Sequence, residues 1–287
     1  MPPPSPTVTA WELGIRLREA RDTAALTAVE AGKRLNMSQN FLSDLEHGKR
    51  KVTEAKLEAM VEVYAIDADE AAELRAMLEQ SARRGWWSKY SGIFPAEVLR
   101  YFGYEHGAES VQTHESLLIP GLLQTEAYAY AIVTSDGPNI RTSEADQRVE
   151  VRMRRQQRLT GDDPLRLTAV LSEGALRQQV GGREVMVEQL RHLTEVIEEK
   201  PDTLEVLVVP FSAGAHGALG ASTFHILHFA NSRLPRVAWQ EAVTSATVME
   251  HRPRVGQFSA TFAESVKQTA GREGSLDLIH REIKALR

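Results

Sequence analysis

The stretch TAVEAGKRLNMSQNFLSDLEHGKRK, residues 27–51, decides the fold of the N-terminal part of the chain. Thr27 followed by Glu30 has the spacing of a capping box, which predicts that a helix begins at the next residue. Asn36 tolerates the left-handed conformation that ends such a helix, and Ser38 is a good N-cap for another one. The stretch therefore predicts two short helices joined by a tight turn.

The second helix of this pair is predicted over residues 39–47, and its start is polar. Leu42 and Leu45 have the spacing of residues that face a core, and Gly48 is a typical helix end. Gly32 in the preceding helix leaves room for two helices to cross closely. Such a pair is a helix-turn-helix, whose second helix turns its first residues toward the major groove of DNA.

Apolar residues at helical spacing extend this unit on both sides. They predict a helix before the pair, over residues 10–22, and two after it, from about residue 53 and over residues 69–82. The result is a mainly α domain of five helices over residues 10–82. Residues 1–9 are rich in proline, which indicates a disordered or extended tail.

Composition limits the class of protein. A chain of 287 residues, 42% of them apolar, suggests about two globular domains. It contains no cysteine, which excludes disulfides and thiolate chemistry. The sequence has neither a signal-peptide pattern nor an apolar run long enough to span a bilayer. We therefore expect a cytoplasmic protein that makes no membrane contact and is nucleoid-associated when bound to DNA.

The distribution of charge is more informative than the net charge of -5. Basic residues cluster at 33–34 and again at 49–51, directly after the predicted recognition helix. A local basic edge of this kind suits contact with DNA phosphates. An acidic chain is therefore compatible with DNA binding.

Beyond residue 82 the sequence changes to an alternation of helices and strands. LRLTAVL (165–171) and TLEVLVVP (203–210) are rich in β-branched residues and predict strands. REVMVEQLRHLTEVIEE (183–199) has the apolar spacing of a helix. Segments of both kinds over residues 83–287 predict an α+β domain with a mixed or antiparallel sheet.

The C-terminal part carries no recognisable catalytic motif. HExxH, G-x-S-x-G and P-loop sequences are all absent from the chain. His225 and His228 point to opposite faces of a predicted strand and cannot share a metal ion, and His216 is isolated. We predict a protein that is not an enzyme and that uses no metal or cofactor.

Arg148, Arg152 and Arg155 lie on one face of a polar helix predicted over residues 143–160. One interpretation is a solvated face paired with Glu150 and its neighbours. The alternatives are a second contact with the DNA backbone or a docking face for an acidic partner.

Trp86 and Trp87 mark the predicted domain boundary in RRGWWSKY (83–90). Both rings cannot be buried on one helical face, so one of them is a candidate for joining the domains. Alternatively, the core of the second domain begins there. A further hypothesis places a small-molecule pocket under PFSAGAHGALG (210–220), near His216 and the two tryptophans.

LREARDTAALTAVEAGKRLNMSQNFLSDLEHGKRK (17–51) resembles the phage-repressor-like, xenobiotic-response-element family of helix-turn-helix regulators over about residues 13–66. The resemblance implies base contacts by Gln39, Asn40 and Asp44. Glutamine and asparagine can read adenine in the major groove, and aspartate can accept a hydrogen bond from cytosine. Phosphate contacts are implied for Arg18, Thr27, Ser38, Ser43, Lys49 and Arg50.

The same resemblance implies a structural pair between Arg21 and Glu46 that orients the recognition helix. Ala28 stands where many relatives carry a glutamine that contacts DNA, and Val52 stands where proline is common. Phe41 could pack on a thymine methyl group or within the protein. We expect modest affinity from one domain and therefore a homodimer on a palindromic operator.

Segments across residues 83–287 carry a second resemblance, among them VEVRMRRQQRL (149–159) and LVVPFSAGAHGALGASTFHILHF (207–229). They resemble an actinobacterial family of antitoxin-like transcriptional regulators, including the WhiJ type, with a C-terminal domain of unknown function. Members are commonly encoded beside small partner proteins and are linked to development. The resemblance implies that this domain dimerises, binds such a partner or senses a small ligand.

These observations predict a sequence-specific regulator that binds double-stranded DNA and is controlled by a small partner protein from an adjacent gene. One alternative is a regulator with a small-molecule effector bound in the C-terminal domain. The other is an antitoxin that neutralises a small toxin encoded by a neighbouring gene. Candidate residues for a partner or ligand are Trp86, Trp87, Arg148, Arg152, Arg155 and His216.

Overall fold

The computed structural model describes residues 1–135, 141–242 and 245–286. The chain divides into two compact units, Pro3–Lys89 and Tyr90–Arg287, the second together with Met1–Pro2. The first unit is helical, and the second combines helices with a mixed sheet, which confirms the predicted fold class. Within the described ranges, none of the helices combines the length and the apolar character that crossing a membrane requires.

The N-terminal unit consists of short helices around one core. The helices are α1 (Pro6–Thr23), α2 (Ala28–Arg34), α3 (Gln39–Glu46), α4 (Glu54–Val63) and α5 (Ala68–Ala82), followed by a 3-10 segment at Trp86–Tyr90. Leu17, Leu42, Leu57 and Leu74 come from different helices and pack in the same buried cluster. This shared core fixes the positions of α2 and α3.

The start of α1 differs from the prediction. The helix begins at Pro6 rather than at residue 10, so residues 6–9, which were assigned to the tail, are helical. Ser5 explains this start because its side chain accepts a hydrogen bond from the amide of Val8. Proline also suits the first helical position, where its missing N–H costs no hydrogen bond.

The turn between α2 and α3 follows the predicted local rules. Asn36 has a φ of 52°, in the left-handed region. The side chain of Ser38 accepts a hydrogen bond from the amide of Phe41 and caps α3. A Cβ atom on Gly32 would lie 2.7 Å from the carbonyl oxygen of Met37, so the close approach of the turn requires glycine.

The C-terminal unit alternates helices and strands. Its helices are α6 (Ala96–Gly107), α7 (Glu126–Ser135), α8 (Thr142–Gln156), α9 (Glu173–Arg177), α10 (Arg183–Glu199), α11 (Arg252–Lys267) and α12 (Gly271–Ala285). Its strands are β1 (Ser110–Glu115), β2 (Arg166–Ser172), β3 (Leu204–Val209), β4 (Phe224–His228), β5 (Val237–Ala242) and β6 (Ser245–Met249). Helix α6 and strand β6 were not predicted from the sequence.

The described strands form one six-stranded sheet in the order β3-β2-β1-β4-β5-β6. β1, β2 and β3 are parallel, whereas β4, β5 and β6 pair antiparallel to their neighbours. β1 is therefore the strand at which the parallel half of the sheet meets the antiparallel half. The chain runs outward from β1 to β3 and then returns to the other side of β1 with β4. In open α/β sheets, ligands commonly bind beyond the carboxyl ends of the strands at such a reversal.

Different helices cover the two faces of this sheet near β4. Phe224 of β4 packs against Phe258 of α11, with ring centroids 5.0 Å apart. The next residue, His225, points to the opposite face and lies 5.7 Å from the ring of Tyr101 on α6. The α6 side of the sheet carries the pocket described below.

Candidate functional site

The first turn of α3 presents polar side chains to solvent. Gln39 and Asn40 are exposed, and Asp44, one turn later, is half-buried. On the other side of the helix, Leu42 and Leu45 are fully buried in the core of the unit. The helix therefore separates its anchoring residues from the residues predicted to contact bases.

Arg21 and Glu46 form the pair that the resemblance implied. The Nε atom of Arg21 donates to Oε1 of Glu46 at 2.6 Å, and Nη2 donates to Oε2 at 3.0 Å. Nη1 also donates to the carbonyl oxygen of Leu26 at 2.8 Å. The hydrogen bonds to Glu46 raise the pKa of Arg21 despite its burial. The pair connects the end of α1, the loop before α2 and the end of α3.

Gly14 has a structural role at this crossing that sequence reasoning missed. A Cβ atom there would lie 2.6 Å from the carbonyl oxygens of Leu45 and Glu46. The backbone of α1 therefore packs directly on the end of α3. A glycine in the middle of a helix was the available signal, because its low helix propensity is otherwise unfavourable.

Asp44 and Arg50, which are both predicted to contact DNA, form a hydrogen-bonded ion pair. The Nε atom of Arg50 donates to Oδ2 of Asp44 at 3.0 Å. Both side chains are more than a third exposed, so solvent competes with this pair. The pair orients Asp44 and Arg50 together beside α3.

The other predicted phosphate contacts are spread around α3. Arg18 and Lys49 are exposed, and Arg18 lies 4.0 Å from Asp22. The exposed hydroxyl of Thr27 caps α2, as that of Ser38 caps α3. Ser43 is half-buried, and its hydroxyl lies 3.4 Å from Nδ1 of His47.

Phe41 organises basic groups beside α3. Its ring packs partly against the N-terminal core. Cζ of Arg50 lies 5.1 Å from the ring centroid, and Nζ of Lys56 lies 4.9 Å from it. These cation–π contacts hold two positive charges near the polar start of α3. The ring therefore makes contacts within the protein, and its packing on a thymine methyl group stays a prediction.

Trp86 and Trp87 are neighbours in the N-terminal unit, and His216 belongs to the C-terminal unit. Trp87 is buried in the 3-10 segment, and its ring meets that of Trp86 edge-on at 5.7 Å. His216 is half-buried, and its Nδ1 accepts a hydrogen bond from the amide of Ala218 at 3.3 Å. None of the three residues lines the pocket described below, which also does not lie under residues 210–220.

The arginines of α8 do not form a solvated face. Arg148, Arg152 and Arg155 line a pocket inside the C-terminal unit. Arg155 donates Nε and Nη2 to the two carboxylate oxygens of Glu105, each at 2.7 Å. The interpretation of a solvated, Glu150-paired face is therefore wrong. The reason is that α6 and the sheet cover this face of α8.

The pocket has a volume of about 780 Å³ and lies beyond the carboxyl end of β1. Residues of α6, α8, β1, the loop after β1, β4 and β5 contribute to its wall. Tyr101 of α6 and Trp239 of β5 stack in it, with centroids 4.6 Å apart and an interplanar angle of 17°. Its size is within the range of about 300–1,000 Å³ that small-molecule sites occupy.

Glu115 and His225 are among the titratable groups in the pocket wall that have strongly shifted pKa values. Burial raises the pKa of Glu115 to about 7, although Thr113 and Thr223 donate hydrogen bonds to its carboxylate. Burial also lowers the pKa of His225 to about 4. His225 is therefore neutral near pH 7, whereas Glu115 is partly protonated. Sequence reasoning missed both residues because their neighbours come from distant elements.

The helix-turn-helix and the exposed start of α3 indicate a DNA-binding regulator. In agreement, the family described as a helix-turn-helix domain matches residues 12–74. The chain belongs to the family of the domain of unknown function DUF5753, which matches residues 98–281. No curated protein and no solved structure matched the chain.

Proposed function

We propose that the protein is a sequence-specific transcriptional regulator without enzymatic activity that binds double-stranded DNA through α3. It acts as a homodimer on a palindromic operator, in the cytoplasm and on the nucleoid. Gln39, Asn40 and Asp44 contact base edges, and Arg18, Thr27, Ser38, Ser43, Lys49 and Arg50 contact phosphates. Membership of the xenobiotic-response-element family and the WhiJ type is part of this proposal.

One observation carries it: the exposed amides of Gln39 and Asn40 at the start of a helix whose other side is buried. Recognition helices read bases with residues in this position. The rigid anchoring of α3 by Leu42, Leu45 and the Arg21–Glu46 pair supports it, because base readout requires a fixed helix.

Selection of binding sites from random duplex DNA tests the proposal. The wild-type protein should enrich one palindromic sequence. A Gln39→Ala/Asn40→Ala variant should lose that preference, because each good bidentate contact contributes about 1–3 kcal/mol of discrimination. Gln80→Ala is the matched control, since Gln80 is an exposed glutamine at the other end of the unit, in α5. No enriched sequence with the wild type, or an unchanged preference in the double variant, would contradict the proposal.

A second candidate function concerns how the regulator is controlled. The pocket between α6, α8 and the sheet favours a small-molecule effector over a small partner protein as the signal. In the described ranges of the chain, we find no corresponding feature that supports neutralisation of a toxin. Thermal unfolding of the full chain against a metabolite mixture tests this candidate. A fraction of the mixture that stabilises the wild-type protein should not stabilise the variant Trp239→Ala, in which the pocket wall is changed.

A further inference from the structure

Arg152 and Arg155 both line the pocket, but their side chains have different partners. Glu105 supplies a bidentate counter-ion to Arg155. Arg152 instead donates Nη1 to the amide oxygen of Gln124 at 2.7 Å. In the part of the chain that the structure describes, no carboxylate lies within ion-pair distance of the Arg152 guanidinium. Arg152 therefore has donors that remain available to a ligand.

Arg148 places a second guanidinium one helical turn away. Its Nε atom is buried and has no hydrogen-bond partner among the described residues. Its Nη2 atom donates to the carbonyl oxygen of Ile93 at 3.3 Å, and Cζ lies 5.0 Å from the ring centroid of Phe94. Residues four apart on a helix are neighbours, so Arg148 and Arg152 can serve one ligand group.

The electrostatics of Arg152 show an incompletely compensated charge. Burial, followed by the positive charge of Arg155, lowers the pKa of Arg152 to about 10. Glu241 and Glu115 act in the opposite direction, but more weakly. Glu241 is exposed, and Glu115 is partly protonated near neutral pH. A half-buried cation in this situation is unfavourable until an anion compensates it.

The rest of the pocket wall combines apolar and aromatic side chains with polar ones, among them Glu97, Glu115 and Glu241. The stacked rings of Tyr101 and Trp239 form one side. Further apolar side chains in the wall include those of Val98, Phe102, Leu118, Ile119, Ile132 and Val133. Such side chains stabilise an apolar group by burial. The pocket therefore offers a ligand both guanidinium groups and apolar surface.

We propose that this pocket binds a small organic monocarboxylate. The carboxylate supplies the counter-ion that Arg152 lacks, with help from Arg148, and a planar apolar body lies against Tyr101 and Trp239. A single negative charge is preferred, because Glu115 and Glu241 line the same pocket and repel a dianion. This inference rests on the second candidate function, control by a small molecule, and does not depend on DNA binding.

Matched pairs of small aromatic compounds test the charge requirement. Phenylacetate, indole-3-acetate and 2-naphthoate are titrated into the full-length protein by calorimetry, and each is compared with its primary amide. At least one carboxylate should bind saturably and at least about tenfold more tightly than its amide, because hydrogen bonds to a charged group are the stronger ones. Absence of saturable binding by all three carboxylates, or equal binding of the amides, would overturn the proposal.

Variants on α8 test the location. Arg152→Met should weaken binding of the carboxylate about tenfold or more, while binding of the amide changes little. Arg154→Met is the matched control, because Arg154 lies on the same helix and does not line the pocket. Arg148→Met provides a second variant if Arg152→Met does not fold. Binding that survives both Arg148→Met and Arg152→Met also overturns the proposal.

DNA binding is measured in parallel without any carboxylate. A wild-type protein that binds its selected DNA but no carboxylate contradicts only the pocket assignment. A protein that binds carboxylates through Arg152 but no specific DNA contradicts the proposed regulator and leaves the pocket assignment supported. The two failures are therefore distinguishable.

Discussion

Arg155 and Glu105 form a bidentate ion pair inside the C-terminal unit, with both N–O distances at 2.7 Å. The pair joins α8 to α6, and Glu105 is only 2% exposed. It lowers the pKa of Glu105 against the strong opposing effect of burial. Because both helices line the pocket, the pair holds one wall of it together.

Glu105→Gln should destabilise the C-terminal unit strongly. Removing one partner leaves the other charge buried without compensation, which typically costs about 3–5 kcal/mol. Glu109→Gln is the control, since the Arg166–Glu109 pair is exposed and exposed pairs contribute at most about 1 kcal/mol. Urea unfolding, with hydrogen exchange of α6 and α8 peptides, measures the difference. Equal effects of the two variants would show that the buried pair is not important for stability.

Gly32→Ala should destabilise the N-terminal unit by about 1–3 kcal/mol, because the new methyl group meets the carbonyl of Met37 at 2.7 Å. Gly256→Ala is the matched control. Gly256 lies in α11 with no atom within 4 Å of a Cβ there, so alanine should stabilise by about 0.5–1 kcal/mol. Thermal unfolding of both variants measures whether each substitution destabilises or stabilises the protein. A stable Gly32→Ala protein would mean that the turn relaxes.

Lys49→Ala should weaken DNA binding by a similar factor for specific and random sequences. A phosphate contact carries no sequence information. The logarithm of the binding constant falls linearly with the logarithm of the salt concentration, and loss of one contact should reduce the steepness of that line by about 0.9. Titrations at several salt concentrations measure the slope. Lys284→Ala, an exposed lysine on α12, should leave it unchanged. An unchanged slope for Lys49→Ala would remove Lys49 from the phosphate contacts.

Glu115→Gln should change the pH dependence of stability in a definite direction. The pKa of Glu115 is raised from 4.5 to about 7 on folding, so its stabilising contribution is complete below about pH 4.5 and is lost as the pH rises through 7. Glutamine does not ionise, so the variant does not lose stability in this way as the pH rises. The variant should gain up to about 3 kcal/mol relative to the wild type between pH 4.5 and 8.

Urea unfolding at several pH values measures this gain. The lowered pKa of His225 makes the protein less stable as the pH falls below the ordinary pKa of histidine. His225 is present in both proteins, so this effect cancels to first order when their stabilities are compared. Charged groups near Glu115 include Arg152, which is present in both. Parallel stability curves for the wild type and Glu115→Gln would contradict a raised pKa at this position.

Sequence patterns predicted most of the N-terminal unit correctly. The capping box of Thr27, the left-handed Asn36 and the cap at Ser38 are local features, and each depends on residues at most four positions away. The early start of α1 was missed because Ser5 lies among prolines that were interpreted as a tail. The aromatic residues of α6 have low helix propensity, which concealed that helix.

The pocket could not be predicted in the same way. The sequence hypothesis concerned a pocket under residues 210–220, whereas the pocket described above lies beyond β1. Its rings, Tyr101 and Trp239, are separated by more than a hundred residues in the chain, and their stacking depends on how α6 crosses the sheet. No local spacing encodes that crossing.

The sequence by itself determined the helix-turn-helix and the polar start of its recognition helix, because helix caps and turns obey short-range rules. It also determined that Arg148, Arg152 and Arg155 share one face of α8, because residues three or four positions apart are neighbours on a helix. Only the tertiary structure decided what that face meets. Covering it with α6 and the sheet gives Arg155 a counter-ion and leaves Arg152 without one among the described residues. This depends on packing between elements distant in the chain.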